Sequence, residues 1–210
     1  MILNAARIAD MLREGQDSDT PDPLVITPTA SIQEIERSGS ASVDLRLGTW
    51  LAEMRHARIT HLEPAKPEPE QDEKTHEVEL TKLHYVRYGS RYLLHPGNFV
   101  LGATLEWIRV PSSLAGYIVG KSSWGRRGLV IATAAGVHPG FKGCLTLELS
   151  NVGEVPVALE PGMRTCQLFL HRVEKGHLPQ HVDTSHFIGL RQPALGHVRR
   201  DAVAQKLASA

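Results

Sequence analysis

The sequence predicts a mainly β protein, a distorted barrel or jelly roll with one short N-terminal helix, on three observations. Beyond Tyr85, short apolar runs follow one another: FVLGATLEWIRV, LAGYIVG, LVIATAAGV, CLTLELS, PVALE and TCQLFL. Turn-forming pairs separate them, at Pro96-Gly97, Pro111-Ser112, Pro139-Gly140 and Pro161-Gly162. In Ser42-Val-Asp-Leu-Arg-Leu-Gly48, apolar Val43, Leu45 and Leu47 alternate with polar partners, the period of a half-buried strand. Regularly spaced short strands of this kind build antiparallel barrels and sandwiches rather than βαβ sheets.

Taken in order, Ile2, Leu3, Ile8, Met11 and Leu12 recur at helical spacing, and Gly15 stands where that helix would stop. Asp17 to Thr29 is rich in proline and polar residues and is expected to be an extended loop. From Glu53 to Lys82 the composition shifts toward charge and proline, with EPAKPEPEQDEKTHE at its centre. A segment of that composition is expected to be a solvated excursion without chemistry. The chain after Val173 carries His177, His181, His186 and His197 without a regular period. We therefore divide the chain into a β domain over 1–173, interrupted by the charged excursion at 52–82, and an arm or lid over 174–210. No internal repeat is visible.

Charge and composition narrow the classes of function. Lys plus Arg number 23 and Asp plus Glu number 23 in 210 residues, so the net charge is zero with His neutral. A neutral chain gains no global attraction to a nucleic-acid polymer or an anionic membrane, although local basic clusters can still hold a small polyphosphate. The opening MILNAARIADMLREGQ carries acids and bases within its apolar pattern, unlike a signal peptide or spanning helix. Cys144 and Cys166 form no metal-spaced pair and are expected to be buried free thiols of a cytoplasmic protein.

Two segments hold the chemistry. In Leu145-Thr-Leu-Glu-Leu-Ser150, the leucines point one way while Thr146, Glu148 and Ser150 point the other. A lone acid on such a strand faces either water or a site. Upstream, Gly120-Lys-Ser-Ser-Trp-Gly-Arg-Arg-Gly128 gathers two hydroxyls, three cations and backbone-permissive glycines, the makings of a phosphate cradle. It lacks the spacing of a Walker loop, and a plain basic turn is the alternative.

These segments, in this order with Thr133-Ala-Ala-Gly-Val-His-Pro-Gly-Phe-Lys-Gly143 and Leu147-Glu-Leu-Ser-Asn151, resemble the signature of the dCTP deaminase family. Leu94-His-Pro-Gly97, Thr104-Leu-Glu106, Ser42 to Gly48 and Pro161-Gly-Met163 match further family landmarks. The likeness covers residues 1 to about 51 and 90 to about 173.

The resemblance implies a dUTPase-like fold and a homotrimer whose active sites are shared between subunits. It implies metal-independent hydrolysis of dCTP to dUTP and ammonia. Glu148 would be the general base toward the water that attacks C4 of cytosine, with Ser122 and Arg126 as its catalytic partners. Lys121 and Ser123 fall on phosphate-binding positions, and Gln167 on a nucleotide-binding one. Trp124, Gly125, Ala134, His138, Thr146 and Leu147 complete the implied contacts to substrate. Mg²⁺ is expected with the triphosphate, and dTTP as a candidate inhibitor. No zinc is expected: His61-Leu-Glu63 supplies an H-x-E, but neither cysteine lies in the C-x-x-C that a zinc deaminase requires. His61 is expected to be a loop histidine.

The chain departs from the family pattern at two places. His138 stands where the family carries an acid before Pro-Gly, and an imidazole is a poor substitute for a permanent carboxylate at pH 7. His186-Phe-Ile-Gly-Leu190 is the nearest match to the family's closing stretch, yet it lacks that stretch's lysine, tyrosine hydroxyl and glutamine. Two alternatives therefore stand beside the deaminase. One is a dUTP diphosphatase, alone or coupled to deamination with dUMP as product. The other is a non-catalytic nucleotide-binding trimer.

Overall fold

The computed structural model describes residues 1–17, 19–29, 31–55, 80–132, 136–174 and 189–195. Helix α1 (Ala5–Glu14) begins where the Asn4 side chain accepts the Arg7 N–H, so a backbone donor at the helix start is satisfied. Its Ala5, Ile8, Ala9 and Leu12 are buried along one face. A second helix, α2 (Ile32–Arg37), packs beside it, and Arg13 reaches across to Glu36. Between the helices runs the short strand β1 (Val25–Thr27).

The remaining elements are almost all strands. They are β2 (Ser42–Met54), β3 (Thr81–Tyr85), β4 (Tyr92–Leu94), β5 (Phe99–Arg109) and β6 (Leu114–Gly120), followed by a single turn of helix, α3 (Ser122–Gly125). Then come β7 (Leu129–Ile131), β8 (Gly136–Val137), β9 (Lys142–Asn151), β10 (Val157–Leu159) and β11 (Arg164–Arg172). Among the described residues, nine strands form one antiparallel sheet in the order β7-β9-β5-β2-β11-β6-β8, with β1 added beside β5 and β3 beside β2. The pair β10-β4 makes a separate small sheet. This is the mainly β, curled architecture that the sequence predicts.

Strand periodicity builds the core. Val43, Leu45 and Leu47 of β2, Leu147 and Leu149 of β9, and Leu168 and Leu170 of β11 are all buried, each contributing about 1.5–3 kcal/mol. The sheet curls until its two ends approach, and a methyl placed on Gly120 at the end of β6 would lie 3.5 Å from the Ile131 side chain of β7. The run LVIATAAGV, a single apolar stretch in the sequence, is divided by this closure. Its first part pairs with β9 and its last with β6, at opposite ends of the sheet order.

Three further differences from the sequence reading concern short elements. The stretch 17–29 contains β1, and α2 and α3 occupy segments without a visible helical period. The charged excursion is flanked by paired strands, from Trp50 opposite Tyr85 to Met54 opposite Thr81, while 56–79 lie outside the described residues. In the tail, the Gly189 N–H donates to the Lys142 carbonyl and the Cys144 N–H donates to the Leu190 carbonyl, laying this short segment beside the start of β9.

Candidate active site

The cradle segment is an ordered turn. The Trp124 and Gly125 N–H groups donate to the Lys121 carbonyl, and the Arg126 N–H to the Ser122 carbonyl. Two bonds fasten the turn to the start of β11: the Lys121 N–H donates to the Thr165 carbonyl, and the Trp124 indole N–H to the Arg164 carbonyl at 3.0 Å. Trp124 packs against the core, whereas Ser122, Ser123, Gly125 and Arg126 are exposed. The Arg127 guanidinium donates to the Ser123 carbonyl at 2.6 Å, so one of the three cations is bound up in the turn itself.

At the far end of the turn, the packing requires glycine. Gly128 has φ +89°, and a methyl there would come within 2.6 Å of the Gly153 nitrogen. The facing turn is set by buried Asn151, whose amide donates to the Leu94 and Val155 carbonyls and whose Oδ1 accepts the Gly153 N–H. The β9–β10 turn thus clamps the exit of the cradle.

Lys121 opens onto a cleft of about 200 Å³ between α2, β2 and β11. Its ammonium donates to both Asp44 carboxylate oxygens at 2.8 Å, and an Arg164 guanidinium nitrogen lies 3.7 Å from the same carboxylate. Gln167, opposite Asp44 in the β11–β2 register, donates to the Ser42 hydroxyl at 3.1 Å. Ser38 and Ser40 continue a chain of hydroxyl contacts along the rim.

On β9, Thr146, Glu148 and Ser150 are half-buried on the outer face while Leu145, Leu147 and Leu149 are buried. Because the Leu147 side chain is fully buried, it has only backbone and shape to offer a ligand. The Glu148 carbonyl accepts the Ala132 N–H, which ties the strand to the segment that follows the cradle. His138 is exposed in the turn after β8, where its carbonyl accepts the Phe141 N–H. Ala134 and His61 lie outside the described residues.

Of the residues singled out from sequence, Lys121 and Gln167 meet in the cleft, whereas Ser122, Arg126, His138 and Glu148 are not among its lining residues. Glu148 and Gln167 are three strand-to-strand steps apart in the sheet order, β9-β5-β2-β11. Sequence reasoning overlooked Asp44, Ser42 and Arg164 as cleft residues. The signal was present for Asp44, a polar position of an alternating strand, but its partner is 77 residues away and emerges only with the sheet order.

The description "dCTP deaminase-like" belongs to the family model that matches residues 2–173. The chain belongs to this family. A dCTP deaminase of Halorubrum lacusprofundi is 44% identical over 170 residues, spanning 80% of this chain and 75% of the relative. A protein of Mycobacterium sp. (strain KMS) named dCTP deaminase, dUMP-forming, is 48% identical over 134 residues, 63% of this chain and 66% of the relative. Among solved structures, 2′-deoxycytidine 5′-triphosphate deaminase from Agrobacterium tumefaciens superposes with a TM-score of 0.58 at 20% identity. That match covers 82% of this chain and 49% of the other, and it shows a shared fold. Among the described residues no helix is long and apolar enough to cross a membrane.

Proposed function

We propose that this chain is a hydrolytic deaminase converting dCTP and water to dUTP and ammonia. The observation that carries this reading is the family match over 2–173, joined to a 44% identical relative named dCTP deaminase. Glu148, on the accessible face of β9, takes a proton from water as the oxygen attacks C4 of cytosine, and the same carboxyl group delivers a proton to N3. The second water proton then passes from the C4 hydroxyl through the same carboxylate to the amino nitrogen, the C4–N4 bond breaks as the C4 carbonyl forms, and ammonia leaves. Ser122 and Arg126 hold the water and stabilise charge beside the glutamate, since fixed donors do most of the positioning when no metal activates the water. Lys121 and Ser123 take the phosphates, Gln167 the nucleotide, and Mg²⁺ arrives with the triphosphate as part of the substrate.

We further propose a homotrimer with sites shared between subunits, in the cytoplasm. Two features support the assembly. The cleft at Lys121 is smaller than the ~300–1,000 Å³ of small-molecule sites, so it accounts for part of a nucleotide. The proposed base stands on the outer face of the sheet and is not among the residues lining the cleft that holds Gln167. Residues 1–173 are taken as the catalytic domain and 174–210 as its arm.

One observation favours a second reading, in which dUTP is hydrolysed further to dUMP: the 48% identical relative carries the name dUMP-forming. His138 speaks against it, because the family's acid at that position is replaced by an exposed turn histidine. A single incubation with dCTP and Mg²⁺, following ammonia, pyrophosphate and nucleotide together, separates the readings. The expected result is ammonia and dUTP without stoichiometric pyrophosphate, unchanged by prior treatment with a zinc-selective chelator and restoration of Mg²⁺. Equal ammonia and pyrophosphate with dUMP would establish the second reading. Pyrophosphate from dUTP without ammonia from dCTP would make the protein a diphosphatase, and silence on both would make it a binding protein.

A further inference from the structure

The outer face of β9 is charged at both ends, and Glu148 accounts for only one of them. Strand alternation puts Lys142, Cys144, Thr146 and Glu148 on one face. Arg109 of β5 lies directly opposite Lys142 in the antiparallel register, so these two cations share that face. The tail brings a third. The Gly189 N–H donates to the Lys142 carbonyl and the Cys144 N–H to the Leu190 carbonyl. Arg191 is thereby set beside Cys144, near enough for its charge to offset part of the effect of burial on the thiol. Lys142 and Arg191 are exposed. Among the described residues, the carboxylate that pairs with this group is Asp22, in a long contact of 3.4 Å to Arg109. The Arg109 Nε is buried without a hydrogen-bond partner, so Asp22 does not satisfy that guanidinium. Three cations thus stand against one carboxylate.

We infer that Lys142, Arg109 and Arg191 seat the β- and γ-phosphates of the substrate, so that the nucleotide lies along β9 with its base at Glu148. From Glu148 back to Cys144 is four residues, about 13 Å at ~3.3 Å per residue, the scale of an extended nucleoside triphosphate from base to last phosphate. The long Lys142 and Arg109 side chains cover the remaining distance from their own positions. Attraction to this group rises with the charge of the ligand, so a triphosphate gains more from it than a monophosphate does. Lys121 and Ser123 reach the same phosphate chain from a neighbouring subunit, as the shared-site proposal has it.

This inference rests on the deaminase reading, whose own test is ammonia release from dCTP by the unaltered protein. Binding of dCTP and of dCMP, each with Mg²⁺, is measured separately by calorimetry on the full chain, so that either result can fail without the other. Lys142→Gln and Arg191→Gln are each expected to weaken dCTP by roughly three- to tenfold, the size of a partly screened charge-assisted contact, and to leave dCMP within about twofold. Lys142→Arg, which keeps the charge, should bind dCTP like the wild type. Added salt should weaken dCTP binding more in the wild type than in the two Gln variants, because they lack part of the charge that salt screens. Arg87→Gln removes an exposed cation from the turn before β4 and should change neither ligand. Failure of the unaltered protein to bind dCTP overturns the inference. So does dCTP affinity unmoved by either Lys142→Gln or Arg191→Gln, and so does parallel weakening of dCTP and dCMP, which a merely loosened strand or tail would give.

Discussion

Glu148 owes its accessibility to the two-residue period of β9, which buries Leu147 and Leu149 on either side of it and leaves the acid on the outer face. Exchanging that carboxylate for an amide keeps the shape and removes the proton acceptor. Glu148→Gln is thus expected to cut ammonia release by ~10²–10⁴ with little change in melting temperature or nucleotide affinity. Turnover near that of the wild type would take Glu148 out of its proposed role. Glu106 has a different purpose. It is buried, and it accepts both the Arg46 backbone N–H at 2.8 Å and the Arg46 side chain at 2.7 Å. Two sequence landmarks 60 residues apart are thereby one ion pair joining β2 to β5. The cysteines are buried too. Burial pushes the Cys166 thiol up to about 12, and burial likewise raises Cys144. Because the thiolate is the reactive form, neither should react rapidly with a disulfide reagent at pH 8 while the protein is folded. Both should react at once in denaturant. The linkage has a definite sign: the unfolded chain loses these protons first, so stability falls as pH rises above the ordinary thiol value of 9.0.

At the level of elements, the long strands were legible and the short ones were not. β6, β11 and the second half of β9 bury alternate side chains against one core, which period-two patterning reports directly, whereas the first half of β5 is a continuously buried apolar run. The N-terminal helix was equally plain, since four of its residues fill one buried face. By contrast α2 buries only Ile35 over six residues, and α3 is four residues with none buried, so no periodicity exists to be seen. The cradle could be recognised as a chemical cluster, but its rigidity could not, because that depends on β11 and on the turn after β9. Gly128 tests this dependence. Replacing it with alanine at φ +89° costs about 1–3 kcal/mol for the backbone alone, and the methyl clash with Gly153 adds to that. Gly128→Ala should therefore melt several degrees lower and bind nucleotide more weakly. Gly125→Ala, with no atom within 4 Å of the new methyl, should keep its melting temperature. Equal melting of both variants would mean that the β9–β10 turn does not hold the cradle.

The described residues form a curled sheet whose inner face is filled by their own side chains, which leaves the outer face to meet a ligand or partner. That outer face is not uniformly polar. Tyr117 and Phe169 stack there with ring centroids 5.1 Å apart and planes within 4°, and Val119 beside them is 43% exposed. Apolar surface next to a partial cleft fits coverage by another subunit, in line with the proposed trimer. The proposal predicts complementation. Ser122→Ala and Glu148→Gln chains, each inactive alone, are mixed under conditions that let subunits exchange, with a tagged chain to demonstrate that exchange has occurred. If one site takes Ser122 from one subunit and Glu148 from its neighbour, some mixed interfaces carry both intact residues. For random assembly, one interface orientation in four does so, and activity should return to about a quarter of the wild-type rate at equal mixing. Recovery should also vary as the product of the two chain fractions, which contamination by wild-type protein cannot imitate. If exchange is proven and no activity returns, the two residues act within one subunit, and the outer face must close over its own substrate instead.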